Sequence, residues 1–121
     1  MIKNFLLVGL GGAIGSMLRY AVTCLFASTV YPAFIGTLCV NSIGSFLIGL
    51  FASLISKDFT LLLCTVGLCG GFTTYSTFSA QSLNLLQCGK YSTAFLYIIS
   101  TLFVCLLFTW IGIWVGKRFS I

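Results

Sequence analysis

Polar and apolar positions alternate on two scales along this chain. On the coarse scale, charge-free stretches run from Tyr20 to Ser56, Phe59 to Gly89 and Tyr91 to Gly116, broken by Lys57–Asp58, Lys90 and the pair Lys117–Arg118. A helix of about 20 apolar residues crosses a hydrocarbon core of about 30 Å. The pattern therefore predicts four spans, near Phe5–Ser28, Phe34–Ile55, Phe59–Leu86 and Tyr91–Val115, joined by the short links "STVYPA", "SKD" and "QCGKY". More membrane follows the first apolar segment, so it reads as a span rather than a cleaved signal, with residue 1 at the start of the mature chain.

On the fine scale, small and polar residues recur at helical spacing. Gly11 and Gly15, Gly67 and Gly71, and Gly112 and Gly116 each stand four apart, which clears a strip for close helix approach. Those strips serve either packing inside one subunit or contact with a second one. Thr37, Asn41, Ser45 and Gly49 share one face of the second span, and Tyr97, Thr101, Cys105 and Thr109 one face of the fourth. Such stripes either bond neighbouring helices and their own preceding carbonyls, or line a polar path. Asn41 stands apart, because a primary amide in hydrocarbon has several hydrogen-bonding capacities to satisfy.

The third span carries "GGFTTYSTFS" at residues 70–79. Two glycines, Gly70 and Gly71, followed by the β-branched Thr73 and Thr74, make a poor helix segment, so a break is expected at the glycine pair near mid-membrane. Irregular backbone survives at that depth only where protein, water or a ligand satisfies its freed groups. Exposed carbonyls there suit a cation. Tyr75, Phe78 and Gln81 follow at steps of three, with Thr74, Ser76, Thr77 and Ser79 around them. The rings serve either as core filler or as positive aromatic edges facing an anion.

Composition narrows the chemistry. Of 121 residues 60% are hydrophobic and 6% charged, and the mean hydropathy is +1.17, against about 25% charged residues in a soluble domain. The net charge of +5 sits mostly at span ends, where lipid headgroups account for it without nucleic acid. Lys3, Lys57, Lys117 and Arg118 share one side by parity, against Lys90, with or without Arg19, on the other. That bias favours cytoplasmic termini. With no His and a single acidic residue, Asp58, acid–base catalysis, a carboxylate proton relay and a zinc site have no residues to run on, so the chain is not expected to be an enzyme. The six cysteines form no C-x-x-C pair and read as buried thiols. Arg19, the one charge within a span, either snorkels, pairs with carbonyls, or draws anions into a vestibule.

"GGAIGSMLRY" at 11–20, "GTLCVNSIGSFLIG" at 36–49 and "GLCGGFTTYSTFS" at 67–79 resemble, in order and spacing, the small fluoride channels of the Fluc (CrcB-like) family. The resemblance covers most of the first three spans and the fourth only loosely. It implies an all-α membrane protein of four helices, the third broken, forming one channel domain over residues 1–121. Two such subunits would pair in opposite orientations, with a structural sodium at the centre and two narrow fluoride paths along the interface, in the cytoplasmic membrane of a bacterium. By motif position the resemblance gives Gly70 and Thr73 as carbonyl ligands of the sodium, and Asn41, Phe78 and Thr109 as lining of the fluoride path. Thr77, beside them, adds a hydroxyl to that lining. Three residues depart from the family pattern within it: Tyr75 where "TTFSTF" has phenylalanine, Gln81 where glutamate is usual, and Cys105 where serine is usual. Some members of the family pair two unlike subunits, so a heterodimer is the alternative to a homodimer. Different functions stay open beside it: a four-span multidrug or metabolite transporter, which would want a membrane carboxylate that this chain lacks, and a non-conducting helper subunit.

Overall fold

The structure, a computed structural model, describes residues 1–120. Four helical stretches are long and apolar enough to cross a membrane: Ile2–Ala27, Ala33–Leu54, Asp58–Gln87 and Tyr91–Phe119. Among the described residues there is no strand. We label Ile2–Ala27 α1 and Ala33–Leu54 α2; α2 follows Pro32, whose fixed φ suits a chain entering a helix. The third stretch is two helices, α3 over residues 58–72 and α4 over Tyr75–Gln87. Helix α5, Tyr91–Phe119, follows a tight turn in which Gly89, at φ 77°, lets the amides of Gly89 and Lys90 reach back to the carbonyls of Leu86 and Leu85.

The ends match the expected spans to within a few residues except at α5, which runs through Lys117 and Arg118 to Phe119. Basic residues in a last turn complement the helix dipole, and their long stems reach the interface. Arg118 lies 5.6 Å from the Trp114 ring centroid.

Glycine seams join the helices in two pairs, which settles the question left by the sequence. A methyl group built on Gly71 would stand 2.9 Å from Gly12 Cα, and one on Gly67 2.9 Å from Gly11 Cα, so α1 and α3 touch backbone to backbone. In the other pair, a methyl on Gly49 would stand 3.0 Å from the Ile113 amide, and one on Gly112 3.0 Å from the Leu50 amide. All three four-residue glycine strips are thus consumed by packing inside the chain. Numbers rise together along both seams, so α1 runs parallel to α3 and α2 to α5. The Lys3 ammonium sits 3.9 Å from the Phe59 ring centroid, which puts the starts of α1 and α3 at one end.

Large side chains such as Leu6, Phe95, Phe103 and Trp110 stand exposed along α1 and α5, and α2 is the most buried of the spanning helices. A small buried cluster of Leu85, Ala94 and Tyr97, with Phe34, Leu38 and Phe78 against it, ties α4 to α5 and α2.

Because the seam is this close, Gly71→Ala forces α1 and α3 apart and destabilises the protein by about 1–3 kcal/mol. Gly9→Ala, where an added methyl meets nothing within 4 Å, stays within about 0.5 kcal/mol. Thermal unfolding in detergent compares the two.

Candidate functional site

The interruption of the third span lies at Thr73 and Thr74, not at the glycine pair where the sequence placed it. Gly70 is a regular helical residue, φ −63° and ψ −38°, whereas Thr73 (−83°, 160°) and Thr74 (−148°, 122°) are extended. The reason is packing: Gly71 serves the close approach to α1 and stays helical, while two consecutive β-branched residues leave the helix. Upstream, Leu63–Cys69 winds as a π-helix, a form frequent at functional sites.

An interruption in hydrocarbon strands carbonyls at the end of one helix and amides at the start of the next. Here each neighbouring element supplies partners. The amide and the hydroxyl of Thr73 both donate to the Cys69 carbonyl, at 3.0 and 2.9 Å. Arg19 of α1 donates through Nε to the Gly71 carbonyl at 3.2 Å, so of its three sequence readings the structure shows the carbonyl pairing. Asn41 of α2 clasps Thr74 on both sides: its Oδ1 accepts from the Thr74 amide at 2.8 Å, and its Nδ2 donates to the Thr74 carbonyl at 3.0 Å. Its side-chain amide thereby replaces a length of missing helix and keeps one N–H to offer elsewhere. Thr74 Oγ1 accepts from the Thr77 amide at 3.2 Å and caps α4. Among the described residues, no hydrogen bond reaches the carbonyl oxygens of Gly70 or Thr73.

Beside the interruption lies an open groove of about 870 Å³ between α2, α3, α4 and α5. Of the residues singled out from sequence, Asn41, Gly70, Thr73, Tyr75, Phe78, Cys105 and Thr109 line it. Arg19, Thr77 and Gln81 do not. Thr77 is held in the α4 cap, and the Gln81 Oε1 accepts from the buried Tyr97 hydroxyl at 2.9 Å. Tyr75 and Phe78 are 5.8 Å apart between ring centroids, and Phe78 meets Tyr97 edge to face at 5.2 Å. Tyr75 is 78% exposed, so its ring is a wall of the groove rather than core.

Sequence reading passed over Gly44 as a lining residue, and named Thr101 only as part of the polar stripe of the fourth span. Gly44 sits against the Thr73 methyl, where any side chain would collide; its place one turn after Asn41 was the available signal. Thr101 has a buried hydroxyl with no partner among the described residues, whereas the Thr109 hydroxyl bonds back to the Cys105 carbonyl at 3.0 Å.

Residues 6–113 match the family described as CrcB-like protein, Camphor Resistance (CrcB). The chain belongs to the CrcB-like family. Similar proteins include one called fluoride-specific ion channel FluC from Phocaeicola vulgatus, 45% identical over 95% of this chain and 99% of its own length. Others of the same name come from Campylobacter fetus subsp. fetus, 45% identical over 91% of each chain, and Campylobacter lari, 43% identical over 97% of this chain and all of its own. This CrcB-like protein is therefore a multi-pass membrane protein aligned with those relatives over at least 91% of its length, with the interruption and its groove inside the matched family segment.

Removing one partner of a buried amide costs about 1–3 kcal/mol. Asn41→Ala should accordingly speed hydrogen exchange at the Thr74 amide about tenfold or more, read by mass spectrometry on protein in nanodiscs. Unchanged exchange would mean that the clasp does not hold the interruption.

Proposed function

We propose that this CrcB-like protein is a fluoride channel, carrying the anion passively out of the cytoplasm and so relieving fluoride toxicity. The observation that carries the reading is the groove formed where α3 stops and α4 starts, largely apolar with a few polar groups at the interruption. Its wall combines the clasped Asn41, the aromatic edges of Tyr75 and Phe78, and the α4 N-terminus with its partial positive charge. Fluoride holds water strongly, so a path for it must offer many short donors in exchange, and low polarizability around them strengthens each. The relatives' shared name points to the same ion.

In acid surroundings neutral HF enters by diffusion and dissociates inside. The negative interior then drives the anion out, at about 2.3 kcal/mol per charge for each 100 mV. Neither a carboxylate relay nor a nucleotide is needed, and the activity is transport rather than catalysis. The cytoplasmic membrane of a bacterium is the location that suits this role.

The groove is open in one chain, and two copies in opposite orientations would close it into two paths. The four basic residues at one end, Lys3, Lys57, Lys117 and Arg118, favour a second arrangement in which this chain keeps one orientation and an unlike subunit takes the other. Intact-complex mass measurement separates the two. A structural sodium fits the residues present, since the Gly70 and Thr73 carbonyls accept no hydrogen bond among the described residues and both residues border the groove. When bound it would supply a fixed positive charge tying those carbonyls to a second copy.

Purified protein in liposomes, followed with a fluoride electrode, should release fluoride at least about a hundredfold faster than chloride under a potassium gradient with valinomycin. Asn41→Asp loses the donor to Thr74 and places negative charge in the groove, and should cut flux by at least about tenfold. Phe78→Ile removes an aromatic edge and should also lower it. Equal fluoride and chloride release, or flux indifferent to both substitutions, would refute the reading.

A further inference from the structure

Both glycine seams deliver their basic residues to the same end of the bundle. Along the first, Lys3 of α1 lies over the exposed Phe59 ring of α3, its ammonium 3.9 Å from the centroid. Along the second, a methyl built on Gly116 of α5 would stand 2.5 Å from the Ser53 Cβ of α2. The end of α2 therefore meets the last turn of α5, where Lys117 and Arg118 sit. Lys57 belongs to the link at residues 55–57 that carries the chain from α2 to the start of α3. Four of the six lysines and arginines thus gather at one face of the bundle, all four exposed. Of the other two, Arg19 is spent on the Gly71 carbonyl and Lys90 stands alone at the opposite face. Asp58 is the one acidic side chain in the sequence, so a single carboxylate stands against four cations. Two of the four are held against rings: Lys3 by Phe59, and Arg118 with its guanidinium carbon 5.6 Å from the Trp114 ring centroid.

We propose that this end of the bundle is a binding surface for anionic phospholipid, preferring a lipid of net negative charge to a zwitterionic one. Phosphatidylglycerol and phosphatidylcholine share a phosphate that accepts from lysine and arginine. Choline adds a cation that the four positive charges repel, whereas glycerol adds none. Attraction between basic residues beside a span and anionic headgroups grows with each residue added. The apolar surface next to the charges selects a lipid over a free phosphate. Ile2, Phe5 and Phe119 stand exposed beside Lys3 and Arg118, and the acyl chains of the lipid whose phosphate meets the cations cover them.

The proposal does not depend on the fluoride reading, because its readout is bound lipid. Full-length protein in detergent is titrated with an equimolar mixture of dioleoyl phosphatidylglycerol and dioleoyl phosphatidylcholine and weighed intact with its lipids attached. Native protein should retain phosphatidylglycerol about tenfold over phosphatidylcholine. Combining Lys57→Gln, Lys117→Gln and Arg118→Gln should bring the ratio below about twofold. Lys57→Arg with Lys117→Arg keeps the charge and should match native, as should Lys90→Gln at the opposite face. A second measurement needs no variant: phosphatidylglycerol should slow acetylation of Lys57 and Lys117 about threefold relative to phosphatidylcholine while leaving Lys90 unchanged, read by peptide mass. Equal retention of the two lipids by native protein, a preference that survives the triple substitution, or acetylation slowed equally at Lys90 would overturn the proposal. Displacement of phosphatidylglycerol by inorganic phosphate at the same concentration would also overturn it, by making the site one for a free anion.

Discussion

A backbone carbonyl or amide left without a partner in hydrocarbon is costly enough that spanning chains are helices almost without exception. This protein departs from that rule at Thr73–Thr74, and most of its polar inventory is arranged to make the departure tolerable. Arg19 comes from α1, Asn41 from α2, and Thr73 and Thr74 supply their own hydroxyls. What they leave open, the Gly70 and Thr73 carbonyls and one N–H of Asn41, borders a single groove. Function is read in that remainder.

The glycine seams follow from the same constraint. For the Arg19 and Asn41 side chains to reach the interruption, α1 must lie against α3, and α2 must be fixed beside both. Backbone contact at Gly12–Gly71 gives the first. The α2–α5 seam at Gly49–Gly112 gives α2 a rigid partner and brings Thr101, Cys105 and Thr109 to the groove's far wall. With so little buried apolar surface in the chain, such close contacts replace the broad core of a soluble domain.

Charge-free runs between Lys57, Lys90 and Lys117 made the four spans legible, since length and hydropathy alone decide whether a helix can cross. The interruption was legible as a region and misplaced by about three residues, because a glycine reads as a breaker on paper while Gly71 is there to let α1 in. The π-helix at Leu63–Cys69 left no mark, since a shift in hydrogen-bond register has no side-chain signature. Asn41 announced itself by its cost in lipid, but its partner Thr74, 33 positions away, did not. Gln81 shared a three-residue spacing with Tyr75 and Phe78, and Thr77 stood beside them, yet they point to Tyr97 and to the α4 cap, a difference that position along the chain cannot resolve.

The central claim is that the third span is interrupted at two residues within the bilayer. Solid-state NMR of 13C,15N-labelled protein in liposomes reads the backbone torsions of residues 66–80 directly. The account predicts extended-type Cα and Cβ shifts at Thr73 and Thr74 with helical shifts on both sides. Helical shifts running unbroken through both threonines would contradict it.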